Sequence, residues 1–157
     1  ETVFSHYLHT YHVASPGRAA IGMNVTSGSA SSATNRWTTS DTCGIVVGTG
    51  TTAVAPTDYQ LATRIVDGIT SGTLEYFPCG GTNFTTSGVT ASFDVERLFR
   101  NSSGGSVTIN EAGIYCAWSD TNENSAQFCI IRDLVSPGFA VANGEYMRVI
   151  YTISVSA

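Results

Sequence analysis

Three histidines, His6, His9 and His12 in "SHYLHTYHV", stand close enough in the sequence to suggest a metal site, since imidazole is a common ligand. Their spacing resists it. On a strand His6 and His12 share one side about 20 Å apart while His9 faces the other; on a helix only neighbouring pairs meet, and no nearby Cys, Asp or Glu completes a set. They read as aromatic contacts of a terminal arm. A pH-sensitive subunit contact is the sharper alternative, because imidazoles gathered at an interface repel on protonation. Gly48-Thr49-Gly50 follows an apolar run and precedes an acid, Asp67, at roughly the 20-residue distance of a dinucleotide-binding turn. Such a turn needs a helix starting at the loop, so that backbone amides point at a pyrophosphate. Thr51, Thr52, Val54 and Pro56 oppose a helix there, the proline alone by about 3 kcal/mol. A strand ending in a Gly-Thr-Gly turn is expected instead, with no cofactor.

Asp94 and Glu96 lie two apart on a strand pattern, about 7 Å from one another, which is within range for a carboxylate pair. With Arg97 and Arg100 adjacent they read as a solvated or cross-strand ion-pair face. Cys43, Cys79, Cys116 and Cys129 lack the close spacing of zinc or redox motifs. Cys116 and Cys129 fall on two arms of an expected hairpin, so they form either a cross-strand disulfide or a pair of small buried apolar residues; Cys43 with Cys79 is the weaker pairing. No Gly-x-Ser-x-Gly elbow is present, and the histidines sit far from any serine at a strand end. No catalytic residues and no metal site are assigned, and a non-enzymatic protein is expected.

The composition points the same way. The 157 residues suit one domain, and 42% are hydrophobic but only 12% charged. With 21 Thr, 18 Ser and 16 Gly, the surface carries hydroxyls in place of charges. All seven cations are arginine against twelve acids, a net charge of −5, so no basic patch is available for nucleic acid. No apolar run reaches the roughly 18 to 20 residues of a membrane span.

These residues must be positioned by strands. "EYMRVIYTISVSA" alternates with Met147, Val149, Tyr151, Ile153 and Val155 on one face. "GVTASFDVERLFR" places Val89, Ala91, Phe93, Val95 and Phe99 inward, and Arg97 shares their parity, so it is either paired or displaced by a bulge. "GSVTINEAGIYCAW" follows, with Ala112-Gly113 as an expected bulge, and pairs with "AQFCIIRDLV"; Asn143-Gly144 then has the chemistry of a tight hairpin. Only "TDYQLATRI" suggests a helical turn, capped by Thr57 or Asp58. The pattern predicts an all-β antiparallel sandwich or jelly roll of seven or eight strands over residues 43–157. An N-terminal arm over 1–25 and a polar loop or linker over 26–42 precede it.

Taken together, "VVGTGTTAVAPTDYQLATRI", "ERLFRNSSGGSVTINEAGIY", "IIRD" and "GEYMRVIYTISVSA" resemble small virion structural proteins of tailed bacteriophages. The likeness covers about residues 45 to 157 and rests on turn and strand patterns; the arm and the cysteines carry no part of it. It implies a non-enzymatic β-rich subunit on a virus particle, a capsid decoration or tail-associated protein, with no catalytic residues to carry over. The expected partners are identical copies and other virion proteins. Phe4, Tyr7, Leu8, Tyr11 and Val13 give the arm more apolar surface than a free terminus should expose, so they are its expected oligomer contacts. Two other roles fit such a body. One is an extracellular or cell-surface filament subunit joined by donation of the N-terminal strand. The other is a receptor-binding or carbohydrate-binding module, with Trp37, Trp118, Tyr115 and Tyr59 as stacking rings for a host-surface glycan.

Overall fold

The structure is a computed structural model that describes residues 41–119 and 125–156. The arm with its histidines and expected contacts, Trp37, and most of the polar loop lie outside these residues. The described residues form six strands: β1 (Gly44–Gly48), β2 (Glu75–Ser87), β3 (Thr90–Arg100), β4 (Val107–Ser119), β5 (Ser125–Val141) and β6 (Tyr146–Ser156). These strands pair antiparallel and make two three-stranded sheets, β1-β4-β5 and β2-β3-β6. The described residues are all-β with no helix, and none of them forms a helix long and apolar enough to cross a membrane.

The alternation in β3 and β6 produces the second sheet directly. The two strands pair without a register break from Thr90↔Ser156 to Arg100↔Tyr146, so Phe93, Val95, Arg97 and Phe99 share a face with Ile153, Tyr151, Val149 and Met147. That face meets Ile45, Val47 and Ile114 of the first sheet in one apolar cluster. No bulge displaces Arg97, which points inward and is buried. Val89, expected inward, sits in the β2–β3 turn beside Gly88 (φ +59°) and is 69% exposed, because the strand parity ends before the turn.

The chain changes sheet three times, and one residue ties the last two crossings together. Residues 101–106 carry it from β3 to β4, and residues 142–145 from β5 to β6. Asn101 is fully buried: its Nδ2 donates to Gly105 O and Val141 O, both at 2.7 Å, its backbone N–H donates to Glu145 O at 2.9 Å, and its carbonyl accepts from Gly144 N–H at 2.6 Å. The Asn143-Gly144 turn therefore reverses the chain as its residue types require, with Gly144 at φ +88°, but it is not a hairpin, because β5 and β6 belong to different sheets. The expected bulge at Ala112-Gly113 is likewise displaced. Those residues pair in register with Val47 and Val46, and the β4–β5 ladder breaks at Ile109/Glu111 and Ile114/Tyr115.

Between β1 and β2 runs a 49–74 connection with no strand of its own. Part of it lies along the free side of β1, where Thr49 N–H donates to Thr63 O at 2.9 Å and Ile65 N–H to Val47 O at 3.0 Å. It also covers the sheet face opposite the core. Strand β1 is thus enclosed on both faces, which is why "GIVVG" is a continuous apolar run and not an alternating one. The helical turn expected in "TDYQLATRI" does not form. Leu61 and Ile65 have helical spacing and are both buried, but they reach the core from an irregular segment.

Candidate functional site

The register assigns the polar residues under this connection. Glu111 stands opposite Gly48 on β1 and Leu134 on β5, Gly113 opposite Arg132, and Tyr115 opposite Cys129, so Glu111, Arg132, Tyr115 and Cys129 share the covered face. Glu111 is fully buried. Its Oε1 accepts from the backbone N–H of Thr63 at 2.7 Å and of Gly50 at 3.1 Å, and its Oε2 accepts from Ala62 N–H at 3.0 Å and Arg132 Nε at 2.9 Å. Arg132 completes its donors on the same segment, to Thr52 O at 2.8 Å, Ala53 O at 3.4 Å and Asp58 Oδ2 at 2.6 Å. Tyr115 adds a further tie, its hydroxyl accepting from Leu61 N–H at 2.7 Å.

The glycine loop therefore does enclose an anion, and the anion is the protein's own. A Cβ at Gly48 would lie 2.6 Å from Glu111 Oε1 and 2.5 Å from Thr63 O, and one at Gly50 would overlap the same carboxylate. Glycine at these positions lets the backbone close on Glu111, much as a phosphate loop closes on its ligand.

Glu111, Asp58 and Arg132, the charged groups of this clasp, are each stabilised in the charged form. Burial raises the Glu111 carboxyl, but the hydrogen bonds from Thr63, Ala62 and Arg132 outweigh it and leave the group below the ordinary carboxylate range. Asp58 is also lowered, by the Ala55 N–H first and Arg132 second, while Arg132 is held further above its usual value by Asp58 and Glu111. Depressed acids contribute stability above their unfolded pKa and lose it as pH falls through the folded one. We expect urea unfolding midpoints to show a gap between the protein and Glu111→Gln at neutral pH that closes as the pH is lowered below the ordinary Glu value. Parallel curves down to pH 2 would contradict this assignment.

Arg97 forms a second buried charge, with no ion pair to a carboxylate among the described residues. It is 1% exposed; Nε donates to Phe77 O, and Nη1 to both Cys43 O and Ile45 O, all at 2.8 Å, so one guanidinium joins β3 to β2 and β1. It lies over the Tyr76 ring, 4.8 Å from the centroid, while its Nη2 is buried without a partner. Desolvation lowers its pKa. Tyr76 runs the other way across the sheets, its hydroxyl donating to Ile65 O at 2.7 Å.

The other expected site residues divide. Asp94 and Glu96 share the outer face of β3 as expected, yet each has its own partner: Asp94 accepts from Asn83 Nδ2 at 2.7 Å and Thr152 Oγ1 at 2.6 Å, and Glu96 pairs with Arg148 at 3.6 Å. Arg97 takes no part, and Arg100 pairs with Glu75 at 3.8 Å. The Cys116–Cys129 bridge is not made. The break at Ile114/Tyr115 sets Cys129 opposite Tyr115 and Cys116 opposite Phe128, on opposite faces of the sheet. Burial pushes the Cys116 thiol up to about 12 and that of Cys129 to about 11. Tyr115 is buried beneath the connection and cannot serve as a stacking ring, whereas Tyr59 is 68% exposed. It borders a shallow groove of about 180 Å³ shared with Thr52, Thr57, Asp58 and Gln60; a second, of about 320 Å³, lies along Val54–Pro56 and Cys129–Arg132.

The outer face of β2-β3-β6 is uncovered by other described residues. Near one end Tyr146, Leu98 and Ile150 are exposed among the Arg100–Glu75 and Arg148–Glu96 pairs. Toward the other end the face becomes a ladder of hydroxyls, with Thr85 against Ser92 at 2.8 Å and Thr90 against Ser156 at 2.9 Å. Phe84, at the break in β2 between Thr82 and Thr85, is 72% exposed and stacks on Phe93, ring centroids 5.5 Å apart.

Fold and surface together define an all-β domain whose most buried charges serve its own connections and whose outer sheet face is apolar and hydroxyl-rich. Comparison of the chain with protein-family models, with curated proteins and with solved structures returns no match. Sequence reasoning missed Glu111 and Arg132. A signal was present in Glu111, which has the parity of Gly113 and Tyr115 in "EAGIY" and so sits on a strand face that a charge occupies only with partners.

Proposed function

We propose that this protein is a non-enzymatic virion structural subunit, a capsid decoration or tail-associated protein, that works by self-association and by binding a capsid or tail scaffold. In this reading the two sheets are the layers of a β-sandwich, since residues of both enter one core cluster. The observation that carries it is the outer face of β2-β3-β6, where Leu98, Tyr146 and Ile150 are exposed while the neighbouring charges are already paired. A face with few unpaired charges loses little on desolvation when it packs against a copy of itself. The arm supplies the second contact through Phe4, Tyr7, Leu8, Tyr11 and Val13.

Two variants test the two contacts separately. Ile150→Glu with Leu98→Glu is expected to reduce the oligomeric mass measured by light scattering while leaving the circular dichroism of the sheet intact. Deletion of residues 1–15 is expected to do the same. A mass unchanged in the double variant rules out the sheet face, and a mass unchanged in the deletion rules out the arm.

A receptor-binding role is favoured by one observation, the exposed Tyr59 ring beside the Thr52, Thr57, Asp58 and Gln60 groove. A ring next to hydroxyl and amide groups suits a saccharide. A glycan array with no signal disposes of it.

A further inference from the structure

The β1–β4 ladder identifies a cysteine pair that the hairpin reading did not. Its register runs Gly48↔Glu111, Val47↔Ala112, Val46↔Gly113, Ile45↔Ile114 and Gly44↔Tyr115, where the ladder ends; Cys43, the next residue, lies close enough to Cys116 to act on its thiol. A disulfide spans Cα separations of about 4.4 to 6.8 Å, the scale on which neighbouring antiparallel strands lie. The backbone of Cys43 is held at this level by Arg97, whose Nη1 donates to its carbonyl. Cys43 and Cys116 are both buried, at 3% and 0% exposure. The two remaining cysteines are engaged elsewhere. Cys129 is on the opposite sheet face, its thiol donating to Ile131 O at 2.8 Å, and Cys79 has a backbone hydrogen bond with Ile45.

We propose that Cys43 and Cys116 are the oxidisable pair of this protein, joined as a cross-strand disulfide by exchange with a small-molecule disulfide such as oxidised glutathione. In the first step one cysteine thiolate attacks the glutathione disulfide, forming a mixed disulfide and releasing one glutathione thiolate. In the second the other cysteine displaces the remaining glutathione, so the protein loses two hydrogens and the oxidant leaves as two thiols. The Cys116 thiol is pushed up to about 12 by burial and the neighbouring thiols, so the folded pair is a poor nucleophile and the bond forms as the chain folds. The bridge closes a loop of about 70 residues and fastens the segment entering β1 to the central strand of its sheet.

The test is to refold the full chain in a glutathione redox buffer, alkylate the remaining thiols and map the peptides without reduction. Cleavage at glutamate suits the sequence, because Glu75, Glu96, Glu111, Glu123 and Glu145 leave each cysteine on its own peptide. The expected product joins the Cys43 and Cys116 peptides, with Cys79 and Cys129 alkylated. Its melting temperature should fall on the order of 10 °C on reduction, a difference that Cys43→Ser removes. Four alkylated cysteines after oxidative refolding, or a bridge containing Cys79 or Cys129, overturns the proposal.

Discussion

Glu111→Ala is expected to destabilise the protein by about 3–5 kcal/mol, the cost of leaving one member of a buried ion pair alone. The substitution removes the acceptor of four hydrogen bonds at once, three of them from the backbone of Gly50, Ala62 and Thr63. Arg132 would keep Asp58 but lose the carboxylate that faces its Nε. An isolated buried ion pair can be exchanged for apolar residues at little cost. Glu111 differs because it also holds the 49–74 connection, so Glu111→Leu with Arg132→Met should remain destabilised by the three orphaned amides, each costing about 1–3 kcal/mol. Chemical denaturation measures the total. Hydrogen exchange locates it: the amides of Gly50, Ala62 and Thr63 should exchange much faster in Glu111→Ala, while those of β3 change only as far as global stability does. A loss below about 1 kcal/mol would show that the connection is held by other contacts.

Arg97→Ala is expected to cost a similar amount, about 3–5 kcal/mol, through a different route. The substitution empties a fully buried site between the sheets and leaves the carbonyls of Phe77, Cys43 and Ile45 without this donor. Among the described residues no carboxylate forms an ion pair with the guanidinium and its Nη2 is buried without a hydrogen-bond partner, so the charge itself contributes little. Arg97→Met therefore separates packing from hydrogen bonding. Filling the volume without the donors should recover a large part of the loss, leaving about 1–2 kcal/mol relative to the original protein. Thermal unfolding monitored in the near ultraviolet, where Tyr76 reports on the same contact, gives the order: Arg97, then Met, then Ala. Methionine and alanine equally destabilised would mean that the three carbonyl bonds, and not the volume, hold the sheets.

The strands most legible in the sequence were those with one face in the core. β3 and β6 alternate because their outer face meets solvent, and their register follows from that alternation. β1 could be read as a strand, but what covers it could not, since an apolar run looks the same whether a sheet or a loop lies above it. The Asn143-Gly144 turn was visible as a reversal; turn chemistry specifies how the backbone bends and is silent on which sheet receives the next strand. Cys116 and Cys129 are the two buried residues that one of the two readings expected, and they are not opposite each other because of one extra residue, Ile130, at a ladder break that leaves no mark in residue type. The clasp was the least legible part. Asp58, Glu111 and Arg132 are brought together across 74 positions by packing, and the one local cue, Gly48-Thr49-Gly50, resembled a ligand loop because it does surround a carboxylate.

The proposed association through the sheet face and the arm is tested most directly by the native mass of the full chain. Light scattering or native mass spectrometry over a dilution series should return a fixed multiple of the 16.5 kDa chain that persists on dilution, with the Ile150→Glu, Leu98→Glu variant falling to a lower multiple. A particle of 16.5 kDa at every concentration, in the protein and the variant alike, would contradict it.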